Sequence, residues 1–530
     1  MPAPGRCYRY FPAALDREAL EHLLIGRQDL LESLYNEMDQ ASRGGTSRFF
    51  LLVGDRGAGK SHLMSLLYQR MRDGLSDRVI PVCLAGEECS MFRASDFFCR
   101  VLAEMGVETS GVTALGDDLL VREAAVETIA ISAKGRPVVV FIENIHEIFA
   151  RMDKHEVRAL RSAFQRTGIF SVVASAPSLF PGVLDHDEPF YNFFRVFHLR
   201  ELDCAESKEL MQRVAEADGD TAFIENFGKY EPGIEAIRHL IGGNPRLVVR
   251  LYEIVSRCGS DDMGAVFFRL VDEQTSYYQE VLRRLPGQRR LILDTLLTAE
   301  TPLTPKDIAQ QARLDPATVN AQLRRLEADG YVVSRPMGKR TTYEVRDRLF
   351  RLWRVMRRPA GRDRMDALIG FLEAWYGRPG ASLQEPSPSY IAGTEPGEPV
   401  RAAQLMQSSL DLAQKELLCG NKANGLSLID EAYGYAKDLD TGTAQRVTAG
   451  FLRGIIGEGR VAAIRSAVRR IIASGGPGFE RFLRPIADAV AIVEANDTRL
   501  YYTKLQPEER TVVAGIVRAI TGSEDLVVGL

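Results

Sequence analysis

Residues 54–62, Gly54-Asp55-Arg56-Gly57-Ala58-Gly59-Lys60-Ser61-His62, crowd three glycines, a lysine and a serine into one short loop. Glycines let successive backbone N–H groups turn inward around an anion, and a helix that starts there points its positive end at the same charge. Lys60 would neutralise β- and γ-phosphate oxygens, and the Ser61 hydroxyl would ligate Mg²⁺. The Gly-x-x-x-x-Gly-Lys-Ser spacing is the Walker A pattern, which needs a buried strand before it and a helix after it. Both signals are present. Arg48 and then "FFLLV" read as the strand, and "KSHLMSLLYQRM" continues as the helix. The spacing predicts a site for a nucleoside triphosphate, with ATP and Mg²⁺ as the cofactors.

The elements that must position this loop follow in order. Strands are expected at 77–85, 136–144, 169–175 and 195–202, with helical segments between them. That alternation predicts an α/β fold, a parallel sheet with helices on both faces, whose ligand lies at the carboxyl ends of the strands. From Asp203 the pattern is helical only, opened by a cap pair, Asp203 and Glu206, and interrupted at "IGGNPR" (241–246). The expected organisation is a nucleotide-binding core (1–202), a helical lid (203–285), a module of short helices and two strands with trailing helices (286–376), a Pro/Gly/Ser/Glu-rich linker (377–400) and an all-α C-terminal region (401–530).

With these landmarks in register, the chain resembles the AAA+/STAND branch of P-loop ATPases. The likeness is greatest to the replication-initiator (origin-recognition) ATPases and the archaeal-type ATPases with a winged helix, over about residues 20–358. "LIGRQDLLESL" (24–34) resembles the family's upstream box near the adenine. "GGNPR" (242–246) resembles the sensor 2 motif, which implies that Arg246 is aimed at the γ-phosphate. Ser175 stands at the sensor 1 position, and Arg195 stands where some of these families carry an arginine finger. The departure is at Walker B, where the family has an apolar strand ending in Asp-Glu. Here the strand ends Glu143-Asn144, so Glu143 replaces the Mg²⁺-holding aspartate and Asn144 replaces the general base. An amide orients a water but cannot take its proton. Slow hydrolysis is therefore expected, with ATP acting as a conformational and assembly switch. Ordinary hydrolysis through Glu143 is the competing reading, and His146 or Glu147 would be substitute bases.

Residues 303–345 fit a winged helix-turn-helix. Asp315 caps a third helix with Pro316 at its first position, and Val319, Leu323 and Leu326 fall at core spacing. Asn320, Gln322 and Arg324 are left outward, and Lys339 and Arg340 stand at the tip of a two-stranded wing. Residues 286–358 hold 15 Lys/Arg against 8 Asp/Glu, a balance of +7 in a chain of net charge −4. A basic module in an acidic chain suits phosphate neutralisation, so double-stranded DNA is the expected partner. Winged helices also serve as protein-interaction modules.

At 530 residues the chain is too long for one core. No run reaches the roughly 18 apolar residues of a membrane span, and no secretory leader is apparent. The seven cysteines (7, 83, 89, 99, 204, 258, 419) form no Cys-x-x-Cys pair, and the seven histidines show no ligand spacing. A reduced cytoplasmic protein without structural zinc is expected. Three functions stay open. The first is an ATP-switched, DNA-associated protein that assembles with itself or a partner through its ATPase core and C-terminal helices. The others are a STAND-type signalling or defence ATPase working through protein partners, and a scaffold stabilised by its nucleotide.

Overall fold

Five short strands pair edge to edge, four of them largely apolar. In the computed structural model, which describes residues 10–84, 91–258, 263–299, 301–337, 340–376, 398–497, 505 and 507–522, they are β1 (Phe49–Val53), β2 (Ile80–Leu84), β3 (Val138–Ile142), β4 (Phe170–Ala176) and β5 (Arg195–His198). All pair in parallel, in the order β2-β3-β4-β1-β5. Side chains alternate along a strand. Leu51 and Val53 of β1 therefore join Val138, Val140 and Ile142 of β3 on one face. Phe50 and Leu52 join Val139 and Phe141 on the other. The first face lies under helices Ala94–Glu104, Asp118–Ala133 and Lys154–Thr167, through Phe97, Phe98, Ile129 and Phe164. The second lies under Gln28–Gly44 and Lys60–Gly74, through Leu31, Leu34, Leu63 and Leu67. Burial of both faces is why β1 and β3 read as unbroken apolar runs.

The described residues gather into two compact units. The first holds the sheet, together with Gly243–Tyr252 and Arg324–Tyr331. After β5, Leu199 N–H donates to Val53 O (2.7 Å). Asp203 and Glu206 then close a reciprocal capping box on helix Cys204–Asp218. Gly243 O accepts from Leu202 N–H (2.8 Å), and a Cβ on Gly243 would stand 1.8 Å from Leu202 O, so only glycine fits there. Ser178, two residues past β4, donates its hydroxyl to the carbonyls of Glu327 (3.0 Å) and Ala328 (3.2 Å).

The second unit holds Gly287–Thr298, Pro305–Ala312, the start of helix Pro316–Ala328, and a two-stranded antiparallel sheet of β6 (Val332–Met337) and β7 (Arg340–Val345). Thr304 and Asp307 form a capping box. Asp315 Oδ2 accepts from the N–H groups of Ala317 and Thr318, and Val319, Leu323 and Leu326 are fully buried. Helix Arg348–Val355 follows, then Pro359–Tyr376, and six further helices lie between Glu398 and Thr521 among the described residues. The 377–397 part of the expected linker and the apolar "LVVGL" at the C-terminus lie outside the described residues.

Candidate functional site

The phosphate loop hangs from the carboxyl end of β1, with Gly54 N–H donating to Ala176 O of β4 (3.3 Å). Gly59, at φ +91°, opens helix Lys60–Gly74, and Ser61 is its second residue. The Lys60 ammonium is buried and donates to the carbonyls of Gly54 (2.5 Å) and Asp55 (2.9 Å), so its charge lies at the loop's centre. Gly57, at φ +86°, is glycine for two reasons. Its backbone is left-handed, and a Cβ would meet Asn244 Oδ1 at 2.7 Å and Arg246 Cβ at 2.8 Å. Asn244 Nδ2 donates to Arg56 O (2.9 Å), and Asn244 Oδ1 accepts from Arg246 N–H (3.1 Å). The "GGNPR" segment thus rests on the tip of the loop. The Arg246 guanidinium itself lies over the Tyr10 ring, 5.6 Å from its centroid.

Arg27, from the upstream box, is buried and donates to Arg200 O (2.8 Å), with Nη1 3.6 Å from where a Gly59 Cβ would stand. Burial lowers its pKa, and the Glu206 charge opposes that. It therefore keeps a cation beside the first turn of the phosphate helix. His62 uses its ring on Leu20 O (2.8 Å), and burial pushes its pKa down, which leaves its backbone N–H as the group facing an anion.

β3 delivers Glu143 and Asn144 to the same end of the sheet. Asn144 is left-handed (φ +51°, ψ 48°) at the start of helix Ile145–Arg151, and its N–H donates to Ser175 Oγ (3.2 Å). Ser175 is 2% exposed at the end of β4, so the ends of β3 and β4 are tied directly. Burial, then the charge of Glu143, raises the Cys83 thiol to about 11. Burial, then Lys60, lowers His146 to about 4, and His146 Nδ1 is buried without a partner. A neutral imidazole therefore stands within reach of the Lys60 charge. The Ser61 hydroxyl and the Glu143 carboxylate are hard oxygen donors, a set that fits Mg²⁺ held jointly with phosphates and water. There the metal would neutralise phosphate charge.

Arg195 is not part of this group. It opens β5 opposite Phe50, three register steps before the Val53↔His198 pair at the loop end of the sheet. Three steps are about 10 Å. It pairs with Glu37 (2.5 Å) and lies over Phe197. A finger role would need the phosphates of a second copy.

In the winged helix, Asn320 and Arg324 are exposed and Gln322 is half-buried. Asn320 folds back onto Pro316 O (3.0 Å), and Gln322 reaches Gln288 (3.4 Å). Arg340 is exposed at the start of β7, while Lys339 lies outside the described residues. The cation count of this segment overstates its open charge. Arg351 is buried and donates to Ala299 O (3.0 Å), Arg354 pairs with Asp294 (2.6 Å), and Arg357 lies over Trp353 at 4.1 Å.

Several groups at this site carry no signal of their own in the sequence. Asn244 and Arg27 lie inside motifs that spacing marks only by a last arginine or as a whole box. Tyr10 had no local signal at all.

The loop, its lysine and the paired strand ends define a P-loop nucleotide-binding site. Residues 23–173 match the AAA ATPase domain family, and residues 285–340 match the MarR family. The chain therefore carries an AAA ATPase domain followed by a MarR-type winged helix. No curated protein sequence matches it. Among solved structures it is similar to the ORC2 protein of Aeropyrum pernix, at 14% identity over 67% of this chain and 97% of that one, with a TM-score of 0.45. The Walker-type ATPase of Pyrococcus abyssi matches at 14% identity over 62% and 96%, with a TM-score of 0.42. The Aeropyrum pernix ORC1 protein, solved in complex with DNA, matches at 17% identity over 65% and 97%, with a TM-score of 0.40. No helix among the described residues is long and apolar enough to cross a membrane.

Proposed function

We propose that the protein is an ATP-controlled switch with slow turnover, which engages double-stranded DNA through its winged helix and assembles with itself or a protein partner. In this reading 1–202 is the ATPase core, 203–285 the lid, 286–376 the winged-helix module and 401–530 a region for protein contact. The observation that carries it is the seat of "GGNPR" on the phosphate loop, through Asn244 on Arg56 O and Arg246 against Gly57. A γ-phosphate at that loop would draw the Arg246 guanidinium off Tyr10, and the lid helix Pro245–Cys258 would follow. Arg195 would then act on a neighbouring copy.

Duplex affinity measured with ATP, with ADP and without nucleotide tests the proposal. ATP is expected to change the affinity, and Lys60→Ala to abolish that change. Equal affinities in all three states would overturn it.

One observation favours the STAND-type alternative. In the second unit, helix Pro359–Tyr376 is buried against both lid and C-terminal helices. Tyr376 OH bonds His239 Nε2 (2.5 Å), Trp375 O accepts from Arg453 (2.6 Å), and Phe371 packs on Phe482 (5.5 Å). A protein bound to the C-terminal helices would have a packed route to the lid. Tight binding of a protein, indifferent to DNA, would favour this second reading. A Lys60→Ala variant altered only in stability would leave the scaffold.

A further inference from the structure

The β6–β7 register sorts the wing into two faces. Val332 with Val345, and Ser334 with Tyr343, share one face. Val332 is fully buried and Val345 is 2% exposed, so the base of this face packs on the winged-helix core, and Tyr343 pairs with Leu303 through the backbone at the sheet's edge. Val333 with Glu344, Arg335 with Thr342, and Met337 with Arg340 share the other face. The wing's arginines stand on this outer face, which a phosphate backbone would meet.

The outer face is covered at its base. Glu344 is 6% exposed and Thr342 is 9% exposed. What covers Glu344 is helix Pro507–Thr521, from the far end of the chain. Arg510, itself 4% exposed, donates Nη1–H to Glu344 Oε1 (2.9 Å), stands with Nη2 at ion-pair distance from Oε2 (2.7 Å), and donates Nε–H to Leu505 O (3.1 Å). Arg335 of the wing donates to the same carboxylate (2.7 Å), so its charge is neutralised at the edge of the contact. Arg348 reaches Thr511 of that helix (3.2 Å).

We infer that helix Pro507–Thr521 is an autoinhibitory latch on the cation-bearing face of the wing. The buried Arg510–Glu344 ion pair is its bolt, and duplex DNA reaches Arg335 and the base of the wing only when the latch lifts. A buried ion pair suits a two-state contact, because removing one partner leaves the other charge buried and uncompensated. The inference rests on the reading that the wing meets DNA.

The test uses the full chain. Hydrogen exchange of the β7 amides and affinity for a mixed-sequence duplex are measured for the wild type, Arg510→Ala, Glu344→Gln and the double variant, with Arg340→Ala as the control of wing contact. Arg510→Lys, which keeps the cation but cannot serve Glu344 and Leu505 O together as the guanidinium does, guards against a variant that fails to fold. The expected result is faster exchange in β7 and about a tenfold rise in affinity for Arg510→Ala, a smaller rise for Arg510→Lys, and no further gain in the double variant. Unchanged exchange would overturn the bolt. Faster exchange with unchanged affinity, while Arg340→Ala still weakens binding, would overturn the autoinhibition alone. If Arg340→Ala also leaves affinity unchanged, it is the DNA reading that fails, and the latch falls with it.

Discussion

Replacing Asn144 with glutamate sets two effects of different size against each other. The residue sits at φ +51° with its N–H on buried Ser175. Asparagine tolerates that left-handed backbone better than other side chains, and glutamate there costs about 1 kcal/mol. For a domain of this size that is roughly 2–4 °C of melting temperature. Against it stands the value of a general base, about 10²–10⁴-fold in rate, or about 2.7–5.5 kcal/mol of barrier. If position 144 is where the attacking water sits, the rate gain exceeds the strain. Asn144→Glu is then expected to melt slightly lower and to turn ATP over at least about a hundredfold faster, the lower bound for a general base. Asn144→Gly separates the terms, since it relieves the backbone without adding a base and is expected to hold stability while staying slow. Phosphate release and thermal melts on the three proteins, with and without duplex, give both readouts. Brisk turnover in the wild type, left unchanged by Asn144→Glu, would refute the argument, because Glu143 or another residue would then be the base.

Gly57→Ala is expected to weaken nucleotide binding by at least about tenfold, since its Cβ meets Asn244 and Arg246 on a left-handed backbone. Gly116→Ala, at φ +73° with open space around it, is the control, and equal behaviour of the two would sink the steric argument. Ser175→Ala leaves the Asn144 N–H without its acceptor and is expected to cost about 1–3 kcal/mol in unfolding experiments, with an unchanged melt counting against the bond. Burial, with Arg238 and Arg348 adding, pushes His239 down to about 3 from 6.5. The unfolded chain takes up that proton near pH 6.5 and the folded chain does not, so stability is full above 6.5 and falls as pH drops towards 3. His239→Gln is expected to flatten that fall, and a melt series in which both proteins lose stability equally would exclude His239. Arg195→Ala is expected to leave nucleotide affinity unchanged and to slow turnover only in an assembled form, and a loss of affinity in dilute protein would contradict its distance from the loop.

The sheet was legible because its strands are largely apolar runs, buried on both faces in β1, β3 and β4 and half-buried in the edge strand β2. β5 is the exception. The expected 195–202 shortens to Arg195–His198, since Leu199 turns to bond Val53 O and the chain leaves the edge towards Asp203. The phosphate loop and the winged helix were legible for a local reason, as glycines, caps and core spacing all act within a few residues. What the sequence hid was conformational or distant. Nothing in "VVVFIEN" announces a left-handed Asn144. Glu344 and Arg510 are 166 positions apart, and helical periodicity says which face of 507–521 is apolar but not what lies against it. Charge counting failed likewise at residues 346–358, where Arg351 and Arg354 serve the fold.

Those internally used arginines bear on how the module would meet nucleic acid. Arg351 on a carbonyl, Arg354 on Asp294 and Arg335 on Glu344 hold no loosely condensed anions to exchange, and they displace no cations from a duplex. The entropy released when a polyelectrolyte sheds its ion atmosphere, which supplies most non-specific affinity, would have to come from the segment's other cations, such as the exposed Arg324 and Arg340. A protein of this kind would release fewer ions on DNA than its cation count suggests. Its residence on DNA would be set by shape, by a partner that brings it there, or by several copies whose weak contacts add.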